Sequence, residues 1–465
     1  MIRLLGSITL LYSFVFAQPL ELDPDVFAAR RTELMGRMEP GSVAIFPARP
    51  VSMRNLDVDH DYRQESNFYY ISGFEEPEAI LLLNPAAPRY RFVMFVRKRD
   101  SRRETYDGPR AGVEGAMSLF RADTAVFFTD FRSSVYSFLG RHELLYYTFG
   151  INPEIDAIVK DICIEARSGI NCPITDPAPM LAAMRLLKNE GDWRMGMQKA
   201  VDISVQAHLE AIRAIRPGMY EYEIQAVFES VYRRNGSPRN GYPCIIGSGP
   251  NSGILHYNKN TRKMQADEVV LMDCAAEYGL YSADITRTVP VDGLFSKEQR
   301  EIYSVVLEAQ NAGMNIVKPG IRMKEIDSVI SNVLGKGLKS LGFIKDEKDY
   351  SMFTLHGYCH WIGLEVHDVG GYSENGKPIH LRPGMVFTIE PGIYVRPDVL
   401  LSMKDRGYSE EEMEKLSGTL APYMNIGIRI EDDVIVTDAG CKNLSAGVPR
   451  EIEELEELMN MREGR

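Results

Sequence analysis

The chain has 465 residues, of which 45% are hydrophobic and 25% charged, and its formal net charge is −12. These values are typical of a globular protein and exclude a disordered, collagen-like or coiled-coil chain. Because acidic residues outnumber basic ones, nucleic acid is not an expected partner, and an anionic membrane surface would repel the chain.

The first 17 residues, MIRLLGSITLLYSFVFA, have the pattern of a secretory signal peptide. Arg3 precedes an apolar stretch, and Ala17 completes a small-residue cleavage pattern. The stretch is too short to cross a bilayer, and no later segment is apolar enough to do so. The sequence therefore predicts an exported protein, periplasmic or secreted, without stable membrane insertion. The alternative is a cytoplasmic protein in which this segment is a buried strand or helix.

Short apolar runs alternate with polar or Gly/Pro breaks from about Val43 to Tyr147, as in SVAIF, AILLLN and RFVMFV. This alternation predicts strands with intervening helices, and so an α/β domain. Three prolines within 171–180 break regular structure and indicate a domain boundary. The predicted segments are a signal peptide at 1–17, a first domain at 18–175, a second at 176–447 and a terminal helix at 448–465.

Two helical patterns open the second domain, at 197–215 and 222–233, and mostly strand patterns follow them. Six cysteines are too sparse for a disulfide framework. Cys163 and Cys172 are candidates for a bridge in an oxidising compartment, although burial as small hydrophobic residues is the favoured interpretation.

Residues 268–291, EVVLMDCAAEYGLYSADITRTVPV, have the pattern of a β-hairpin. A two-residue turn at Tyr278 and Gly279 would place Asp273 directly opposite Asp284. Directly opposed side chains have Cβ atoms about 4.5–5.5 Å apart. Two carboxylates at that distance repel each other unless a proton or a cation lies between them, so the pair predicts a divalent metal site. The alternative is a solvated hairpin with two surface aspartates.

Three of the eight histidines lie in the run HGYCHWIGLEVHD at 356–368, namely His356, His360 and His367. Imidazole binds divalent metals and carries protons near neutral pH. His356 and His360 have the spacing of a helical metal pair, but the glycines and the missing HExxH glutamate favour an extended or looped segment.

Two further carboxylates, Glu390 and Glu431, each end an apolar β-rich run. A carboxylate that projects from such a run needs a partner, because an unpaired buried charge is costly. Arg429 lies two residues before Glu431, shares its strand face and is a candidate to orient a ligand carboxylate. Four carboxylates with one imidazole suit Mn²⁺ or a similar ion, and two such ions typify aminopeptidases that hydrolyse amides.

Several motifs resemble aminopeptidase P, a family of pita-bread metallopeptidases, and together they span both domains. They are DYRQESNFYYISGFEEPEAILLL, GSGPNSGILHY, DITRTVPV, HGYCHWIGLEVHDVG and TIEPGIYV. The resemblance implies an α/β (α+β) fold, with an N-terminal creatinase/prolidase-like domain followed by a pita-bread catalytic domain. It also implies a homo-oligomer, dimer or tetramer, that binds two Mn²⁺ ions per subunit and releases the residue that precedes proline from proline-containing peptides.

The same resemblance assigns roles to individual residues. Asp273 is implied to bind one metal, Asp284 and Glu431 to bridge both, and His360 and Glu390 to bind the other. Glu390 is also implied to act as general base. The remaining implied residues are His256, His356 and His367, which contact the substrate, and Arg429 and Tyr394, which contact the ligands.

Two features depart from the family pattern. Tyr106 occupies a place where the family often has a substrate-pocket tryptophan. The segment between Glu390 and Glu431 is long and charged; the alternatives are a solvated surface insertion, which is favoured, and a lid or subunit contact.

Three rival functions remain open from the sequence. The nearest is an Xaa-Pro dipeptidase (prolidase), which has the same ligands. A non-catalytic peptide-binding module and a metal-free amidinohydrolase share the fold, but filled ligand positions disfavour both.

Overall fold

The computed structural model describes residues 23–167, 173–374 and 376–461. The predicted signal peptide and Cys172 lie outside these residues, so the export and the Cys163–Cys172 bridge stay predictions. Within the described ranges, no helix is long and apolar enough to cross a membrane.

The first part of the chain forms a sheet flanked by helices, as its apolar runs predict. Its elements are α1 (Pro24–Arg37), β1 (Ser42–Pro47), β2 (Met53–Asn55), β3 (Val58–Asp59), α2 (Ser66–Ser72), β4 (Ile80–Leu83), β5 (Phe92–Val96), α3 (Ser101–Asp107), α4 (Gly112–Ser118), β6 (Thr124–Phe127), α5 (Phe131–Ser134), α6 (Tyr136–Leu139), β7 (Leu144–Tyr146), α7 (Pro153–Arg167) and β8 (Ile174–Thr175). Six of the described strands form one mixed sheet in the order β6-β5-β4-β1-β7-β8.

The central strands β1, β4 and β5 are buried along their whole length. Alternate side chains of β1 enter two different cores, because successive residues of a strand point to opposite faces. Val43 and Ile45 pack with Phe131 of α5 and Ile155 of α7. Ala44 and Phe46 join the core that continues into the second part of the chain. The two parts therefore share one apolar core.

The second part contains more helices and several short sheets. Its elements are α8 (Ala178–Arg185), α9 (Gln198–Ala214), α10 (Glu221–Arg234), β9 (Arg239–Asn240), β10 (Ile245–Ser248), β11 (Val269–Asp273), β12 (Ala276–Tyr278), β13 (Tyr281–Ser282), β14 (Thr286–Pro290), α11 (Lys297–Ile316), α12 (Met323–Ser340), β15 (Ser373–Glu374), β16 (Lys377–Pro378), β17 (Val386–Ile389), β18 (Gly392–Val395), α13 (Val399–Asp405), α14 (Glu410–Leu420), β19 (Ile426–Arg429), β20 (Asp432–Val436), β21 (Cys441–Asn443) and α15 (Ile452–Asn460). Helices α9 and α10 match the two predicted helical patterns.

Two antiparallel sheets, β10-β11-β14 and β17-β20-β21, meet at the centre of the second part. An isolated backbone bridge between Thr286 and Glu431 joins them. Beside it, Arg287 Nη2 donates to Asp432 Oδ1 over 2.7 Å, and both side chains are fully buried. These contacts bring together strand ends that carry acidic residues.

The hairpin that carries Asp273 and Asp284 exists, but its predicted register is wrong. The turn residues are Gly279 and Leu280, so Tyr278 pairs with Tyr281, and Asp273 pairs with Thr286 instead of Asp284. The φ angles of Gly279 and Leu280 are 56° and 64°. A hairpin turn with two such residues matches the twist of the strands, which explains the choice of turn. A shift of two residues leaves Asp284 on the predicted face of the hairpin.

The terminal helix and the long segment before Glu431 are both packed against the protein. Helix α15 buries Ile452, Leu455 and Leu458, as its spacing predicts. The segment between Glu390 and Glu431 contains α13 and α14, whose Met403 and Leu416 are buried. The first sheet ends with β8 at Thr175; the domain boundaries themselves stay predictions.

Candidate metal centre

Five predicted ligands come from loops and strand ends of the two central sheets. Asp273 ends β11, and Asp284 lies between β13 and β14. Glu390 follows β17, and Glu431 lies between β19 and β20. His360 lies in an irregular segment, as predicted, where its backbone N–H and C=O pair with Thr388 of β17. The side chains therefore approach one another from four separate stretches of chain.

The imidazole of His360 lies among three carboxylates. Its Nε2 is 3.4 Å from Asp284 Oδ2, 3.4 Å from Glu390 Oε1 and 3.9 Å from Glu431 Oε1. One ligand atom each of Asp284, His360 and Glu431 lies within 4.8 Å of the others, a spacing at which one metal ion can bind all three. Nδ1 of His360 faces the carbonyl oxygen of Trp361 at 3.1 Å, which leaves Nε2 free for a ligand.

Asp273 completes the cluster through shared hydrogen-bond donors. The hydroxyl of Tyr242 lies 2.5 Å from Asp273 Oδ1 and 2.7 Å from Asp284 Oδ1, so one group contacts both carboxylates. Arg429 Nη2 donates to Asp273 Oδ2 over 2.5 Å. Arg429 thus contacts a predicted ligand carboxylate, that of Asp273 rather than Glu431, and its role in orienting that carboxylate stays a prediction.

Arg429 also links the carboxylates to His356. Its Nη1 donates to the Tyr394 hydroxyl over 2.9 Å, and that hydroxyl donates to His356 Nε2 over 2.8 Å. Its Nε contacts Thr286 Oγ1, which donates to Glu431 Oε2 over 2.7 Å. The two predicted neighbours of the ligands, Arg429 and Tyr394, thus form one network with a predicted substrate-contacting histidine.

The carboxylates repel one another and are poorly hydrated, which changes their protonation. Burial raises the pKa of Glu390 to about 8 and also raises the pKa values of Asp273 and Glu431. The charge of Asp284 adds to each of these shifts. Burial lowers the pKa of His360, but the hydrogen bond to Asp284 and the charge of Glu390 outweigh it and raise this pKa to about 9. A divalent cation would remove this repulsion, so the donor set fits a metal.

Three further histidines surround the cluster. The rings of His360 and His367 have centroids 4.1 Å apart. His367 and His256 are exposed, whereas His356 is partly buried. Burial and the charge of Arg429 lower the pKa of His356 to about 4, with a smaller contribution from His256, so His356 is neutral at physiological pH. The histidines therefore line the solvent side of the cluster, where a substrate would enter.

Tyr242 and Thr286 are site residues that the sequence patterns do not predict. Thr286 lies two residues after Asp284, and this same-face spacing could have identified it. Tyr242 precedes β10, and no feature of its sequence neighbourhood marks it; only the tertiary structure places its hydroxyl between two aspartates.

Comparisons with known proteins agree with this arrangement. Residues 195–438 match the model of metallopeptidase family M24, and residues 27–152 match the aminopeptidase P N-terminal domain. The Xaa-Pro aminopeptidase of Escherichia coli strain K12 is 36% identical, over 94% of this chain and 98% of the relative. The human Xaa-Pro dipeptidase is 28% identical, over 95% of this chain and 94% of the relative.

A solved structure, that of the aminopeptidase PepP of Pseudomonas aeruginosa, superimposes with a TM-score of 0.88 at 36% identity, covering 96% of this chain and 100% of the other. These similarities confirm the predicted fold, a creatinase-like α/β domain followed by a pita-bread domain. The chain therefore belongs to metallopeptidase family M24, with the N-terminal domain of the aminopeptidase P group.

Proposed function

We propose that this protein is a metal-dependent Xaa-Pro aminopeptidase, which releases the N-terminal residue of peptides that have proline in the second position. The observation that carries the proposal is the cluster in which Asp284, Glu390 and Glu431 surround His360, with Asp273 linked to Asp284 through a shared hydroxyl. It occurs in a chain that aligns over nearly its whole length with an Xaa-Pro aminopeptidase. Both peptide-binding modules and amidinohydrolases are disfavoured, because all five ligand positions are filled.

We further propose that the ligands hold two Mn²⁺ ions, because four carboxylates and one imidazole are mainly hard oxygen donors. Asp273, Asp284 and Glu431 would hold one ion, and Asp284, Glu431, His360 and Glu390 the other. Bound divalent ions supply Lewis acidity toward the scissile carbonyl and lower the pKa of a bound water.

The protein's own side chains supply the remaining steps. With metal bound, Glu390 is a carboxylate, which accepts a proton from the attacking water and then delivers it to the proline nitrogen that leaves. His367 and His256 bind the carbonyl oxygens of the scissile and neighbouring peptide bonds, whereas the ring nitrogens of His356 already face the Gly357 carbonyl oxygen and the Tyr394 hydroxyl. Tyr394 fixes the orientation of the His356 ring through the 2.8 Å contact with Nε2.

A comparison of peptide lengths tests this function. Metal-stripped and Mn²⁺-restored protein is incubated with Gly-Pro and with Gly-Pro-Gly, and the free glycine and dipeptide products are quantified. Mn²⁺-dependent release of glycine from the tripeptide is expected. Cleavage of the dipeptide alone would assign a prolidase, and cleavage of neither peptide by metal-loaded protein would favour a binding module.

The stabilisation by Mn²⁺ is expected to increase from about pH 6 to about pH 8. Burial raises the pKa of Glu390 to about 8, whereas an unfolded glutamate has a pKa of about 4.3. The metal-free chain therefore binds a proton on folding in this window, and its stability falls as the pH rises. A bound metal displaces that proton and the proton of His360. The stabilisation of the folded chain by Mn²⁺ therefore increases with pH.

Differential scanning fluorimetry at both pH values, with and without Mn²⁺, measures this effect. The increase in Tm on adding Mn²⁺ is expected to be several degrees larger at the higher pH. An increase that is equal at the two pH values, or larger at the lower one, would contradict it.

Export and assembly are separate proposals. The segment 1–17 supports cleavage after Ala17 and export, which N-terminal sequencing of the mature protein tests; an intact Met1 would contradict it.

Homo-oligomer formation is proposed from the family resemblance. Tyr106, at the place of the family tryptophan, is 88% exposed in the chain.

A further inference from the structure

The hairpin between Asp273 and Asp284 is interrupted where it passes the metal centre. Regular pairing between the two strands stops after Asp273 and resumes at Glu277 on one strand, and it stops after Ser282 and resumes at Thr286 on the other. Ala276 pairs with Asn240 of β9 instead, and its C=O accepts from Ala283 N–H over 3.2 Å. Within the interruption, Cys274 N–H donates to Ile285 C=O over 3.2 Å. The reciprocal bond, from Ile285 N–H to Cys274 C=O, is not formed between these described residues. Buried backbone groups in such a gap require other partners.

Helix α9 supplies those partners from two residues one turn apart. The Nε2 atom of His208 lies 3.0 Å from Cys274 O and 3.1 Å from Ile285 O. Four residues earlier, Ser204 Oγ accepts a hydrogen bond of 2.9 Å from Ala276 N–H. Side chains with this spacing share one face of a helix. The helix therefore replaces bonds that the interrupted ladder lacks.

The state of His208 is fixed by its surroundings. Its side chain is fully buried, and burial together with the charge of Arg287 lowers its pKa to about 3, so the ring is neutral. Nδ1 has no hydrogen-bond partner among the described residues, whereas Nε2 faces two carbonyl oxygens. The ring proton is therefore on Nε2, which donates to both. The edge of the ring packs against Phe228, with centroids 4.8 Å apart.

Two other backbone groups in the interruption also form hydrogen bonds with residues outside the hairpin. Asp284 N–H donates to Asp433 Oδ2 over 3.0 Å, and Ala275 C=O accepts from Gly241 N–H over 2.9 Å. The side chains of Asp273 and Asp284 can consequently reach the same Tyr242 hydroxyl although they are not directly opposed in the register. If Ile285 N–H bonded Cys274 C=O instead, this stretch would straighten and move Asp284.

We propose that His208 is a positioning residue for the metal centre: its Nε2–H holds the hairpin open between Asp273 and Asp284 and so fixes the two carboxylates in a metal-binding arrangement. This inference rests on the proposed function, because it concerns the same metal site. His208 itself contacts neither metal nor substrate.

Metal binding tests the proposal more directly than activity does. Mn²⁺ binding to stripped wild-type, His208→Leu and His208→Gln proteins is measured by calorimetry, well below each Tm. Loss of a residue that supports metal ligands costs roughly 10–100-fold in metal affinity, and that loss is expected for His208→Leu. His208→Gln retains an N–H donor, so its affinity is expected within about threefold of wild type. At saturating Mn²⁺, kcat is expected to fall for His208→Leu while KM stays nearly constant.

Phe228→Leu is the matched control, because it loosens packing against the same ring without removing the donor. Wild-type affinity in His208→Leu would overturn the proposal, as would an equal loss of affinity in Phe228→Leu. If His208→Leu does not fold, His208→Asn replaces it; the shorter amide cannot span both carbonyls, and the same loss is expected. If the wild-type protein binds Mn²⁺ but cleaves no proline peptide, the proposed function is wrong. The Mn²⁺ affinities of the variants still decide the role of His208 in that case.

Discussion

Asp284→Asn is expected to lower kcat/KM on Xaa-Pro-Yaa peptides by roughly 1000-fold or more, because several kcal/mol of transition-state stabilisation by metal would be lost. Asp284 contacts both His360 and Tyr242. Its Oδ2 lies 3.4 Å from His360 Nε2, and its Oδ1 accepts a hydrogen bond from Tyr242. In the proposed centre Asp284 would hold both ions, so the substitution would remove a negative charge that both require.

Steady-state kinetics and metal analysis of the purified variant measure this loss. Asp57→Asn, a substitution of an exposed aspartate in the turn between β2 and β3, is the matched control and is expected to retain wild-type activity. Normal metal content together with kcat/KM within about threefold of wild type would show that Asp284 does not bridge the catalytic ions.

Glu390→Gln is expected to reduce kcat by about 100- to 10,000-fold, the range that a general base contributes. Glutamine has nearly the same shape and keeps one carbonyl oxygen as a ligand, but it cannot accept the proton of the attacking water. KM is expected to change far less than kcat, because the substrate-binding histidines remain in place. The pH dependence of any residual kcat is expected to lack the titration of this base.

The matched control for this variant is Glu414→Gln, on the exposed side of α14. It should leave kcat and KM unchanged. If Glu390→Gln lowers KM and kcat in proportion, or leaves kcat intact, another group takes the proton and the role assigned to Glu390 is wrong.

The sequence predicts much of this fold because many of its elements have strong local patterns. The fully buried runs of β1, β4 and β5 and the amphipathic periods of α9 and α10 need no tertiary information. The irregular conformation around His360 is predictable for the same reason, since nearby glycines disfavour a helix. Arg429 was predictable from its spacing of two residues from Glu431 in an extended run.

What the sequence does not predict are contacts made across the chain. The hairpin register depends on which two residues take positive φ angles, and Leu280 is an unfavourable choice that its sequence does not reveal. Tyr242 and His208 contact the aspartate hairpin from distant segments, so their roles follow only from the tertiary structure. The two-residue error in register did not change the predicted metal site, because the side-chain period of a strand is also two.

The most direct test of the account is a titration of metal-stripped protein with Mn²⁺, in which release of glycine from Gly-Pro-Gly is followed as a function of bound metal per chain. We expect no activity in the stripped protein and a rise in rate that reaches its plateau when two ions are bound. The same titration of Asp284→Asn should produce almost no rise. Full activity in rigorously stripped protein, or a rate independent of bound Mn²⁺, would contradict the claim that these five side chains form a catalytic metal centre.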